Sequence, residues 1–352
     1  MTQNIDEETR KIQFSGKSSY MLALPKKWVE EMGLRSGDQV LVSKQNNSSI
    51  VITPKGAPVV SRAGGEILVE VSHNDKPDSI ARKLVSLYIV GYNMINIRSK
   101  EGRLSSAQRN GIKKAARRYL VGTEVIADST EGITLQILIS YPELGIENAL
   151  RRMFLITESM HRDAIQAIKK LDRDIIDSII KTDDEVDRFS IYIIRHLKMA
   201  VQNSRVLNEI GLAKSADCLG YRLVVKSVER VADHATRIAQ ESLMLNNPLD
   251  EQVLDKIIQL SNCALTLFNE SGLALFKRDY NSADDIVEKT NLFTELEKEV
   301  LNSVEKGRTL ETYYPIRLIL EDIQRTAEYA SDIAEAVLNM TAEQIVTAQE
   351  GQ

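Results

Sequence analysis

Cysteine is nearly missing from this chain: Cys218 and Cys263 are the only two among 352 residues. So few thiols exclude a disulfide framework and predict a reducing compartment. Long apolar runs are missing as well. No stretch approaches the roughly 18 residues that a membrane-spanning helix needs. The N-terminus, MTQNIDEETR, has neither the basic nor the apolar region of a signal peptide. The expected location is the cytoplasm. Proline is scarce after residue 145, where only Pro248 and Pro315 remain, and both read as breaks between helices. Histidine is scarce too, and no P-loop, glycine-rich dinucleotide turn or nucleophile elbow is present. Nothing argues for catalysis, so the chain is not expected to be an enzyme.

What is there is an ordinary globular composition, 43% hydrophobic and 27% charged, in a chain long enough for several cores. The net charge of −5 is unevenly spread. Residues 9–55 carry eight Lys and Arg against Glu30, Glu31 and Asp38, a net +5, ahead of an acidic remainder. A basic head on an acidic body is compatible with a module that faces nucleic acid, and equally with a solvated surface.

The head reads as short strands with turn punctuation. RKIQFSG and SYMLALP are strands ending at Gly16 and Pro25, and KKWVEEMG is a two-turn helix started at Pro25 and closed by Gly33. SGDQVLVSKQ and SSIVITP then form a hairpin. Fewer than 50 such residues rarely close a core alone, which predicts a partner chain. Over residues 9–55 this order, with Gly33-Leu34 and the Ser36-Gly37-Asp38 turn, resembles the AbrB/MazE/SpoVT swapped-hairpin family. The resemblance implies a homodimer of interleaved hairpins. It also implies possible DNA contact through Arg10, Lys11, Lys17, Lys26 and Lys27. Glu30 and Glu31 depart from that pattern, since like charge opposes phosphate.

After a plausible linker at 57–65, residues 66–141 alternate strand, helix, strand, helix and two strands, an α+β subdomain. Its second helix stacks Arg109, Lys113 and Arg117 at intervals of four, with Lys114 and Arg118 alongside. That stripe reads as a solvated face and is assigned no site.

From residue 145 onward the pattern is helical. Ile146, Leu150, Met153, Ile156, Met160, Ala164, Ile168 and Leu171 step by three and four, the spacing of one buried stripe. The segment divides at NNPLD into units at 145–245 and 250–346. Each has three helical stretches: 145–172, 174–208 and 214–245, then 250–278, 281–305 and 310–346. The predicted fold class is therefore multi-domain: a small all-β swapped hairpin, an α+β subdomain and an all-α body of two repeated three-helix bundles. The third helices match each other. VERVADHATRIAQ (228–240) returns 95 residues later as IQRTAEYASDIAE (323–335), with Ala232, Ala235 and Ala239 recurring as Ala327, Ala330 and Ala334. Small residues on one face let a neighbouring helix approach closely.

Carboxylates are the other shared feature. Glu229 and Asp233 lie one turn apart on one helix, and Asp183 and Asp187 share that spacing in KTDDEVDRF. If the two pairs face each other they repel, by about 4 kcal/mol per pair at 4 Å and an effective dielectric near 20. Such a cluster must be protonated, neutralised by Arg188, Arg230 or Arg237, or filled by a cation. Oxygen donors suit Mg²⁺, Mn²⁺ or iron better than zinc. In the second repeat Asn291, Glu295, Gln324 and Glu328 replace the four acids, which favours a polar core there. Glu158-x-x-His161 reads as a chance match to a ligand motif, and His234 as a surface or packing histidine.

RLVVKSVERVADHATRIAQESL and IIKTDDEVDRF are similar to the paired motifs of the PhoU family, and the likeness spans residues 145–345. It implies a regulator of phosphate uptake, with a phosphate ABC transporter or its regulatory components as partner. It also implies metal ligands at Asp183, Asp187, Glu229 and Asp233. The rival reading is an AbrB-type DNA-binding transcription regulator whose helical region senses another ligand.

Overall fold

The computed structural model describes residues 8–16, 18–45, 49–55, 65–138, 145–245, 247–305 and 310–345, so Lys17 lies outside the described residues. Two compact units divide the chain, residues 1–60 and 61–352.

In the first unit, β1 (Gln13–Ser15) pairs antiparallel with β2 (Ser19–Met21), shorter strands than the sequence predicts. Pro25 caps α1 (Lys26–Glu31), and Gly33 follows that helix at φ 68°, a conformation that favours glycine. A second hairpin joins β3 (Val40–Gln45) to β4 (Ser49–Pro54). The two hairpins form separate two-stranded sheets. Among head residues whose burial is described, only Pro25 is buried. Phe14, Tyr20, Leu41 and Ile50 are all more than 60% exposed. The head has the apolar side chains of a core and no core.

The second unit opens with the α+β order read from the sequence: β5 (Glu66–Val71), α2 (Pro77–Val90), β6 (Met94–Ser99), α3 (Ser106–Tyr119), β7 (Thr123–Asp128) and β8 (Gly132–Ile137). The sheet order is β5-β6-β8-β7, with β5 and β6 parallel and the other pairs antiparallel. Its core includes Ile80, Leu84 and Tyr88 of α2, Ile112 of α3, and Ile95, Ile97 and Leu135 of the sheet. Ser105 and Gln108 start α3 with a capping box.

The helical body follows as α4 (Ile146–Lys170), α5 (Arg173–Gln202), α6 (Ser204–Glu209), α7 (Asp217–Ser242), α8 (Glu251–Lys277), α9 (Tyr280–Glu305) and α10 (Leu310–Thr341). Two sequence readings need correction. The predicted helix 174–208 breaks at Asn203, whose extended backbone ends α5 and whose Oδ1 accepts from Arg205 N and Val206 N to start α6. Pro315 does not mark a break but lies inside α10, near its start. There it removes one backbone donor from the helical ladder.

The two repeats share one continuous hydrophobic core. The matched alanines of α7 and α10 are fully buried, as close helix approach requires. Two glycines extend that approach. A Cβ on Gly220 of α7 would meet Met340 Sδ of α10 at 2.4 Å, and one on Gly272 of α8 would meet the Phe154 ring of α4 at 2.9 Å.

A buried arginine helps join the α+β layer to the helices. Arg195 of α5 is 3% exposed and lies 4.7 Å from the Tyr88 ring centroid. Its guanidinium donates to Tyr88 O, to Tyr92 O at 3.0 Å, to Gly91 O at 3.2 Å and to Asn93 Oδ1 at 2.7 Å. The three backbone carbonyls lie at the partially negative C-terminal end of α2 and just beyond it, where a cation is favoured.

Candidate functional site

Helices α5 and α7 bring the four predicted acids together. Asp183 and Asp187 lie on α5, Glu229 and Asp233 on α7, and all four are half-buried. Burial raises the Asp183 carboxyl to about 7, helped by the charges of Asp187, Asp233, Asp184 and Glu229. Burial likewise raises Asp187 to about 6, with Glu229 and Asp233 the next contributors. The carboxylates thus sit close enough to repel one another.

No arginine pairs directly with them among the described residues. Among the described residues, none of Arg188, Arg230 and Arg237 forms an ion pair with the four acids. Arg188 Nε is buried without a hydrogen-bond partner. Arg230 donates instead to Tyr329 Oη at 3.2 Å. Glu229 pairs with Lys226, which leaves Asp183, Asp187 and Asp233 without an ion pair. In donor type and charge the four acids fit a hard cation. As the side chains stand, no group of three or more metal-binding residues converges tightly enough to hold one, among the described residues. Binding would need the carboxylates to turn inward.

The second repeat lacks this arrangement. Asn291 and Glu295 are exposed, and Glu328 is held by Arg325 at 2.7 Å. A different polar cluster occupies the junction between repeats. His234 Nδ1 lies 2.5 Å from Asp322 Oδ1, and both residues are buried. His161 is fully buried, with Nε2 3.0 Å from Ser261 Oγ. Its neighbour Glu158 turns away to pair with Arg162, so the two do not act as one ligand motif.

Glu241 Oε2 and Asp322 Oδ2 are buried without hydrogen-bond partners, yet the two carboxyls face each other. A proton held by Glu241 would satisfy both oxygens. Burial and Asp322 raise the Glu241 carboxyl, so it keeps that proton where an ordinary glutamate has lost it. A raised acid contributes stability that is held at low pH and lost as pH rises above the usual glutamate range. Glu241→Gln supplies a permanent donor. Thermal melts across pH 5–9 should show wild type falling more steeply than this variant, and parallel curves would contradict the shared proton.

This cluster was not legible in the sequence, because Asp322 and Glu241 flank the repeated segment and lie outside its matched positions. The basic stripe of α3 has partners of its own. Arg109 and Lys113 bind Asp128, and Arg118 binds Asp184 of α5 at 2.5 Å. In the head, Arg10, Lys11, Lys26 and Lys27 are exposed. Arg10 pairs with Glu8, while Lys26 and Lys27 lie 3.6 and 3.8 Å from Glu30 and Glu31.

A PhoU domain profile matches twice, over residues 150–242 and 257–337, one match on each three-helix repeat. The helical body belongs to the PhoU family. The PhoU homologue of Clostridium acetobutylicum, named a phosphate-specific transport system accessory protein, is 22% identical over 165 residues. That alignment covers 45% of this chain and 71% of the relative. Crystal structures of PhoU from Pseudomonas aeruginosa and Streptococcus pneumoniae align with TM-scores of 0.49 and 0.47, at 17% and 16% identity. They cover 56% and 55% of this chain and 96% and 91% of their own. The head matches the MazE family, described as antidote-toxin recognition, a bacterial antitoxin, over residues 13–59. The α+β layer, residues 66–137, falls between the two matches. Among the described residues no helix is long and apolar enough to cross a membrane.

Proposed function

We propose that this protein regulates phosphate transport by binding, in contact with a phosphate ABC transporter or its regulatory components, and catalyses nothing. The observation that carries the reading is the PhoU match on both repeats, joined to a relative named for that transport system. Phosphate uptake by cells lacking the gene, compared with complemented cells in phosphate-rich and phosphate-poor medium, tests it. Uptake that differs between the two strains in at least one medium supports the role. Identical uptake in both media contradicts it.

Asp183, Asp187, Glu229 and Asp233 are the residues that would hold a divalent or iron cation, Mg²⁺, Mn²⁺ or iron. The cation would neutralise acids that no arginine pairs with directly and would tie α5 to α7. The support is the raised Asp183 and Asp187 and the absence of ion pairs at three of the four acids.

The head would make a homodimer and bring paired basic strands to DNA. Arg10, Lys11 and Lys17 would each be present twice, about six phosphate contacts. The binding constant should then fall with salt at a log–log slope of about −5. A gel-shift titration on the transporter promoter, with wild type and Arg10→Ala/Lys11→Ala, checks this. Lys26 and Lys27, held near Glu30 and Glu31, should contribute less. An equal shift by both proteins would remove DNA from the head's role.

A further inference from the structure

A cleft of about 700 Å³ opens where α2 and α3 of the α+β layer meet α5 and α7 of the first repeat. Its volume is that of a small-molecule site, and junctions between layers are common places for one. Five cations line it, against three carboxylates: Asp78, Asp187 and Glu229. Two of the cations are already engaged, Arg118 with Asp184 and Lys226 with Glu229. The other three, Arg82 of α2, Lys114 of α3 and Arg222 of α7, have no carboxylate partner among the described residues. Three helices thus aim unpaired positive charge into one concavity of a chain whose net charge is −5. The opposite character is there as well: Ala81, Val85, Ile191 and Ile194 form an apolar wall. Gly111 lets α3 approach α2 at this cleft, since a Cβ there would lie 2.8 Å from Pro77 Cβ.

We propose that this cleft binds an organic phosphate of nucleotide size, its phosphates among Arg82, Lys114 and Arg222 and its organic part against the apolar wall. Three cations match a diphosphate or triphosphate better than a single carboxylate, because charge-assisted bonds from arginine and lysine suit several phosphate oxygens at once. An apolar wall gives nothing to free orthophosphate but adds area burial for a larger ligand. The cleft shares Asp187 and Glu229 with the proposed cation site, but none of the three unpaired cations forms an ion pair with those acids, so the phosphate-binding side chains differ from the proposed metal ligands.

Calorimetric titration of the full-length protein tests this, with orthophosphate, AMP, ADP, ATP and adenosine as probes. Each is run once with EDTA and once with magnesium. At least one nucleotide should bind saturably, ten times or more tighter than orthophosphate, and adenosine should not bind. The triple variant Arg82→Ser/Lys114→Ser/Arg222→Ser should lose at least tenfold in affinity while melting like wild type, because these side chains are exposed and unpaired. No saturable nucleotide binding in either buffer overturns the proposal. So does orthophosphate binding as tightly as the nucleotides, or a triple variant that binds like wild type. Metal content of the nucleotide-free protein reads the acidic cluster by itself, so failure here and failure of the cation reading remain distinguishable.

Discussion

A chain lacking residues 1–56 is expected to run as a monomer, while the full-length protein runs at twice the 39.5 kDa chain mass. The reason lies in what the head leaves open. Phe14, Tyr20, Leu41 and Ile50 are apolar, close to one another in sequence and more than 60% exposed. Each such side chain gains roughly 1.5–3 kcal/mol on full burial. Two separate hairpins of three to six residues per strand are marginal alone, because two-stranded sheets rarely persist in water. A second copy supplies the missing strands and the missing face. The rest of the chain forms its own compact unit, so the truncated protein should keep its helical signal and its melting temperature. Light scattering checks the mass. A truncated chain that stays dimeric would place the interface in residues 61–352. A milder probe is Leu41→Asp, which puts a charge on that exposed surface and should weaken the dimer without deleting anything.

Arg195→Leu is expected to lower stability by about 3 kcal/mol, the scale for stranding buried acceptors that a charged donor had satisfied. Leucine preserves much of the volume, so the loss reports hydrogen bonding rather than a cavity. The carbonyls of Gly91 and Tyr92 would lose the guanidinium donor, Tyr88 O would keep only Gly91 N, and the end of α2 would lose its cation. For a unit of this size the melting midpoint should fall by about 6–12 °C. Arg195→Lys keeps the charge without the planar fork and should fall in between. Chemical denaturation followed by circular dichroism reads the result. An unchanged midpoint for the leucine variant would mean that the Arg195 hydrogen bonds do not hold the α+β layer to the helices.

The periodic parts of the fold were legible in the sequence. The α4 stripe, the β-α-β-α-β-β order and the six long helical stretches follow from spacing, turn residues and the scarcity of proline. Asn203 broke the expected pattern because its side chain can cap a new helix, a local competition that periodicity does not register. Pro315 was misread because proline near a helix start removes only one donor, and α10 tolerates that. At the acidic site, i, i+4 spacing put each pair on one face, and packing of α5 on α7 made the pairs neighbours. Which cations would reach them was not legible. Lys226 lies one turn before Glu229 and takes it, whereas Arg230 points to Tyr329 across the repeat boundary. Arg195, the Glu241–Asp322 pair and the nucleotide-sized cleft all depend on residues far apart in sequence, and no local pattern announces them.

The raised carboxyls of Asp183 and Asp187 make the acidic site costly in the absence of a counter-ion. Elemental analysis of the purified, dialysed protein measures that counter-ion directly, with Asp187→Ala/Asp233→Ala as the comparison. About one or more equivalents of magnesium, manganese or iron per wild-type chain, and a near-complete loss in the double variant, is the predicted result. Equal metal content in the two proteins, or none in either after incubation with all three ions, would contradict a cation at Asp183, Asp187, Glu229 and Asp233.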